Sequence, residues 1–146
     1  MHFSITLSDS RLEAHGDSMA PGALKLGDFQ EDFLASLSYW NPAAYRSQWQ
    51  EASERLVEGK DRPALITSMH DPRTANFIVW WPLYRDGDSV HVHNQILFLD
   101  ELVQPFDESD LYRAVPPRET KTDEGDPISE WTVRLSNIEE FLRVAR

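Results

Sequence analysis

Three histidines are the residues best placed to do chemistry. His91 and His93 stand two apart in SVHVHNQILFL, and in a strand residues i and i+2 leave the same face. Two imidazoles so placed can converge on one ion, and a third donor would complete a hydrolytic metal site. His70, at the end of PALITSMH, or Asp71 beside it, could supply it from a neighbouring strand end. The set His70/His91/His93 therefore defines one expectation, a small metal-dependent hydrolase. The competing account is polar packing on a partly exposed strand face, since two ligands alone do not make a site. His70-Asp71 also has the composition to orient a base. Yet the chain has no cysteine and no G-x-S-x-G around any serine, so no nucleophile accompanies it. Asp71-Pro72 is a turn signal in its own right. Ser129-Glu130-Trp131 follows strand alternation, with Trp131 inward and Glu130 outward. No phosphate loop, H-E-x-x-H or EF-hand pattern occurs, and the six glycines form no dinucleotide-type cluster. Residue chemistry thus assigns no catalytic residue and no cofactor.

Charge says more. Fourteen Lys and Arg face 25 Asp and Glu, a net of −11. Such a surface repels nucleic acid and anionic membranes, whose binders carry basic patches, and it attracts cationic partners. Residues 100–130 hold ten of the acids against three bases, Arg113, Arg118 and Lys121, so more than half of the net charge falls in this one stretch. Asp107, Glu108, Asp110, Asp123, Glu124 and Asp126 are its densest acids. They read either as a solvated loop or as a docking surface for a basic protein. Tyr112, or whichever of Trp80 and Trp81 lies nearer the surface, would be an aromatic anchor for that partner.

These residues need a scaffold, and the totals allow one. The 146 residues suit a single domain, 1–146, with 40 % hydrophobic residues and five Trp, seven Phe and four Tyr for a core. The absence of cysteine points to a reducing compartment. MHFSITLSDS lacks a basic start and a long apolar run, so no signal peptide is expected. No apolar run approaches the ~20 residues of a membrane helix. The expectation is a cytoplasmic protein.

Periodicity supplies the elements. HFSITLS alternates as a half-buried strand. Residues 9–27 carry Gly and Pro without a sustained period and read as a loop, with at most a short strand or turn in it. Asp28 with Glu31 has the spacing of a capping box, and Phe29, Phe33, Leu37 and Trp40 recur at helical spacing, predicting a helix over 28–39. Asn41-Pro42 then starts a second helix, with Tyr45, Trp49, Ala52 and Leu56 as its buried stripe and Gly59 as its stop. Residues 63–69, 75–86 and 89–100 read as three strands of an antiparallel meander turning at Asp86-Gly87-Asp88. The middle strand is apolar on both faces, and therefore central and covered on both sides. Within 100–128 a short helix starts near Ser109 and the rest is exposed loop. ISEWTVRLS is a fourth sheet strand. Ser136 and Glu139 form a capping box for a last helix that buries Ile138, Phe141 and Leu142. The fold class is α+β: a mainly antiparallel sheet of about 4–5 strands packed against two or three helices.

Three stretches, NPAAYRSQWQEASERLVEGKDRPALITSMHDP, NFIVWWPLYRDGDSVHVHNQILF and GDPISEWTVRLSNIEEFL, resemble an immunity protein family of bacterial contact-dependent growth inhibition systems. The likeness runs from about Tyr39 to Leu142. Its specific parts are the helix with Tyr45 and Trp49, the ITSMHDP corner, Asn94-Gln95 in the third strand, and the ISEW strand. The first 27 residues contribute little. The resemblance implies a small cytoplasmic protein with no catalysis of its own. It would bind and block the toxic C-terminal domain of a large secreted effector. Such toxin domains are often nucleases with basic surfaces, which suits an acidic partner. The resemblance transfers no binding residues, so the six acids and Tyr112 are nominated by charge clustering alone. The free protein is expected as a monomer or weak dimer, with no nucleic-acid or membrane partner. Two other classes stand beside this one: the His70/His91/His93 hydrolase, and a structural adaptor subunit in a bacterial assembly.

Overall fold

The alternation of Phe3, Ile5 and Leu7 becomes strand β1 (Phe3–Leu7), with all three side chains buried and Thr6 outside, in a computed structural model that describes residues 2–145. The chain then departs from the expected loop and helix. β2 (Leu12–Ala14), β3 (Asp17–Leu26) and β4 (Phe29–Ser36) follow, and the four strands form one antiparallel sheet. β3 is its centre, flanked on one side by β1 and β2 in tandem and on the other by β4.

The helix predicted over 28–39 is thus a strand, for a physical reason. Phe29, Phe33 and Leu37 are spaced by four, which is one helical face but also one strand face. Burial along Phe29–Ser36 alternates with a period of two until Ala35 and Ser36, which are both covered. Asp28 is the second residue of a two-residue hairpin loop, with Gly27 before it at φ 66°. Glu31 pairs across from Leu24 instead of capping a helix. The register also explains Gly22: it lies opposite Phe33, and a Cβ there would stand 2.4 Å from the Phe33 ring.

The second antiparallel sheet holds the expected meander. β5 (Ala64–Ser68) and β6 (Phe77–Asp86) pair, and β6 turns through Gly87-Asp88 into β7 (Ser89–Val92) and β8 (Gln95–Phe98). β9 (Trp131–Arg134) adds to β7. The predicted third strand is therefore split in two, and Pro82 accounts for the break. Its carbonyl accepts from the His93 N–H at 3.1 Å, but proline has no N–H to return. Pro21 in β3 sits likewise opposite the gap between β1 and β2, its carbonyl accepting from Ser8. In both sheets a proline in the central strand is tolerated because the strand beside it is interrupted there. The break also changes which face is covered: Val90 and Val92 are buried, whereas Ile96 and Phe98, of the same parity, are exposed.

α1 (Pro42–Val57) starts as predicted, with the Asn41 Oδ1 accepting from the Ala44 N–H at 2.8 Å and Pro42 in the first turn. Tyr45, Trp49, Ala52 and Leu56 are its buried stripe. This helix satisfies the free edge of β5. Gln48 Nε2 donates to the Ala64 carbonyl, Gln48 Oε1 accepts from the Ile66 N–H, and Trp49 Nε1 donates to the Ile66 carbonyl, at 2.7, 2.9 and 2.7 Å. An edge that would otherwise template another strand is thereby closed with side chains. Tyr45 joins the two sheets, donating to the Ser36 carbonyl at 2.6 Å and accepting from the Met69 N–H at 2.9 Å. Burial pushes its hydroxyl up to about 12.

α2 (Leu135–Ala145) begins one residue before the predicted capping box. Ser136 lies inside it, and the N-terminus is held instead by Asn137 Oδ1, which accepts from the Arg134 N–H. Ile138 and Leu142 are buried as expected. Trp80 and Trp81 point to opposite faces of β6 and are both fully buried, so neither is a surface anchor. Trp81 meets Trp131, which stacks on Phe29 of the first sheet, while Trp80 packs against Phe106. The α+β class and antiparallel pairing follow the expectation, with two sheets where one was expected.

Candidate interaction surface

The acidic segment leaves β8 at Leu99 and rejoins the sheet at Trp131, and it is tied down along its length. Asp107 caps a 3-10 helix, Glu108–Ala114, its Oδ1 accepting from the Ser109 N–H at 2.9 Å and the Ser109 hydroxyl at 2.6 Å. Those two bonds hold its carboxyl below the ordinary carboxylate range. Glu108 accepts from the Tyr39 hydroxyl, a bond that pushes the phenol up. Tyr112, expected as an exposed anchor, is buried at 6 % exposure. Its hydroxyl donates to Glu51 at 2.6 Å and accepts from Gln48 Nε2 at 3.0 Å, and Arg55 lies over its ring. Burial and the Glu51 bond raise its pKa. Tyr112 therefore anchors the segment to α1 and offers no ring to a partner.

Farther on, Tyr84 donates to the Pro116 carbonyl at 2.8 Å, and Arg62 to the Val115 carbonyl at 3.2 Å. Residues 120–128 then form a small exposed hairpin. Thr122 N–H donates to Asp126, Gly125 N–H to Thr122, and Ile128 N–H to Thr120. Asp123, Glu124 and Asp126 project from its tip, and all three are exposed, as are Glu108 and Asp110.

The six acids do not form one patch. Glu108 sits with Tyr39 and close to Arg73, which is locked to Asp71 by bonds of 3.1 and 2.9 Å in the turn that precedes β6. The hairpin 120–128 emerges instead beside Arg118, which lies close to Asp86 at the far end of β6. Phe77 and Tyr84, which mark these two ends, are seven residues apart, about 23 Å at strand rise.

The three histidines are also separated. His70 packs edge-on against Phe77, whereas His91 pairs with Tyr84. Among the described residues no group of three His, Asp or Glu is arranged to hold a metal ion, so the His70/His91/His93 site is not assembled. His91 and His93 share a different network. Glu130 accepts from Arg118 Nε and Nη2 at 2.8 and 2.7 Å, and its other contact is His93 Nε2 at 2.7 Å. His91 Nδ1 lies 2.9 Å from the Thr132 hydroxyl, and the ring is 3.6 Å from both Glu130 and Asp86. Led by the Arg118 bond, these contacts hold the Glu130 carboxyl down to about 2. The polar packing expected of His91 and His93 is present, and Glu130 and Arg118 are the partners that sequence reasoning missed. The signal was parity: Glu130 and Thr132 share one strand face, His91 and His93 share another, and the pairing of His91 with Thr132 brings the two faces together.

Residues 35–141 match the family described as the CdiI N-terminal domain. The chain is similar to the immunity protein CdiI of Enterobacter cloacae subsp. cloacae, 29 % identical over 139 residues that cover 95 % of each chain. It is also similar in structure to a chain of the CdiA-CT/CdiI toxin and immunity complex from Enterobacter cloacae. That match has a TM-score of 0.90 and 28 % identity, and covers 98 % of this chain and 97 % of the other.

Proposed function

The chain belongs to the CdiI N-terminal domain family, and on that premise we propose that it is an immunity protein. It binds and neutralises the C-terminal toxin domain of a contact-dependent growth inhibition effector. The observation that carries this reading is the near-complete structural match to a chain of a toxin and immunity complex. Neutralisation of this kind is a binding event and needs no catalytic group.

The net charge of −11 favours a basic toxin domain as the partner, and a nuclease, which must bind an anionic substrate, has such a surface. Asp107, Glu108, Asp110, Asp123, Glu124 and Asp126 supply the attraction, which speeds encounter with a cationic surface. The same charge disfavours nucleic acid and anionic membrane as partners. Among the described residues no helix is long and apolar enough to cross a membrane. The cytoplasm of the recipient cell is the place of action, and the free protein acts as a monomer or weak dimer without a cofactor.

The test is co-expression with the toxin domain encoded beside it. Growth should be restored, and the two proteins should co-purify in equal amounts. A cell that stays inhibited despite abundant folded protein, with nothing co-purifying, refutes the proposal.

A further inference from the structure

The sheet face that carries Trp81 runs out uncovered at its other end. Phe77 pairs directly with Phe98, and Val79 with Ile96, so Phe77, Ile96 and Phe98 project from one face. Their exposures are 40, 51 and 46 %. The opposite parity, Ile78, Trp80 and Leu97, is buried. Phe77 and Phe98 stand 6.5 Å apart and His70 packs against Phe77 at 5.7 Å, so the patch is continuous. β8 pairs with β6 alone among the described strands.

Acids lie beside this apolar centre where β8 ends. Asp100 and Glu101 form the turn directly after Phe98, and both are exposed. Asp71 stands in the β5–β6 turn, one residue after His70. The nearby Arg73 is engaged by Asp71. An apolar centre within a charged rim is the anatomy of a protein-binding surface, and a negative rim selects a cationic partner. A second copy of this chain is disfavoured, because a two-fold contact through this face would set the same acids against each other.

We propose that the face built on Phe77, Ile96 and Phe98, with Asp100 and Glu101 at its rim, is the docking surface for the basic toxin domain, and that the hairpin 120–128 lies outside the contact. This rests on the immunity reading. It assigns that reading a location: hydrophobic contact at the β8 end holds the complex, and the acids of the distant hairpin contribute only to the approach.

Binding of the purified toxin domain should be measured for three variants, together with sedimentation of each free protein. I96D/F98D changes two exposed side chains and should weaken binding by about 100-fold, as loss of a central anchor does. I96V/F98L keeps the apolar face and should bind within about threefold of the natural chain. D123K/E124K/D126K should slow association but leave dissociation unchanged, as distant charges do. Binding by I96D/F98D within about threefold of the natural chain overturns the inference while the immunity reading stands. So does a loss on the hairpin variant that matches or exceeds that of I96D/F98D. A natural chain that dimerises through this face, becoming monomeric as I96D/F98D with toxin affinity unchanged, assigns the patch to self-association instead and also overturns it. If the natural chain binds no toxin domain at all, the immunity reading itself falls.

Discussion

Glu130 gathers three donors at one carboxylate, so removing its charge while keeping its shape isolates what that network contributes. In Glu130→Gln the two bonds from Arg118 and the bond from His93 lose their anionic acceptor. A carboxyl moved from 4.5 to about 2 corresponds to roughly 3 kcal/mol, at about 1.36 kcal/mol per unit. Glu130 is 21 % exposed and Arg118 34 %, so solvent screening reduces this to about 1.5–2 kcal/mol. The sign is fixed by the direction of the shift. A carboxyl depressed on folding contributes stability above its unfolded value near 4.5 and loses it as pH falls through about 2. His91, His93 and Arg118 face it with positive or protonatable nitrogen, and Asp86 faces His91 from beyond. Urea unfolding of the natural chain and the variant, extrapolated to water at a series of pH values, reads the difference directly. It should be level above about pH 5 and fall to less than half by about pH 3. A difference under about 0.5 kcal/mol at pH 7, or one that does not shrink on acidification, would show that the Glu130 charge does not stabilise the fold.

Tyr45→Phe removes the hydroxyl that bonds both the Ser36 carbonyl and the Met69 N–H. It should cost about 2 kcal/mol through two stranded buried groups, and a denaturant midpoint that does not move would count against the link between the sheets. Gly22→Ala places a Cβ 2.4 Å from the Phe33 ring and 2.8 Å from the Thr6 carbonyl. It should cost about 1–3 kcal/mol by overpacking. Part of that should return in the double variant with Phe33→Ala, and the thermal midpoints of the two reveal whether it does. If the acids act by steering, raising salt from about 0.05 to 0.5 M should slow association with the toxin domain more than tenfold, leaving dissociation nearly unchanged. Stopped-flow rates that ignore salt would rule steering out.

The parts legible in the chain were those whose signal is local. Asn41-Pro42 is a cap and first turn whatever surrounds it, so α1 and its stripe Tyr45, Trp49, Ala52 and Leu56 were readable. Gly87-Asp88 closes a hairpin because Gly87 takes φ 60° without a Cβ penalty. The same dipeptide stands at Gly27-Asp28, and it was the better guide there. The capping-box spacing of Asp28 and Glu31 competed with it and misled. The excess of acid in residues 100–130 was also plain, because charge does not depend on folding.

What each residue faces is set by long-range packing. A spacing of four serves a helix and a strand equally, so Phe29, Phe33 and Leu37 became strand because β3 was there to pair with them. Tyr112 looked like a surface aromatic in an acidic run, and it is buried because Gln48 and Glu51 of α1 reach its hydroxyl. Val90 and Ile96 share a parity, yet one is covered and the other is not, since the packing over that face ends before β8. Of six acids within twenty residues of chain, Glu108 is held by Tyr39, whereas the hairpin that carries Asp123, Glu124 and Asp126 emerges after Arg118, which Glu130 holds near the other end of β6. Exposure is a property of what packs over a side chain, and that is set by residues distant in sequence.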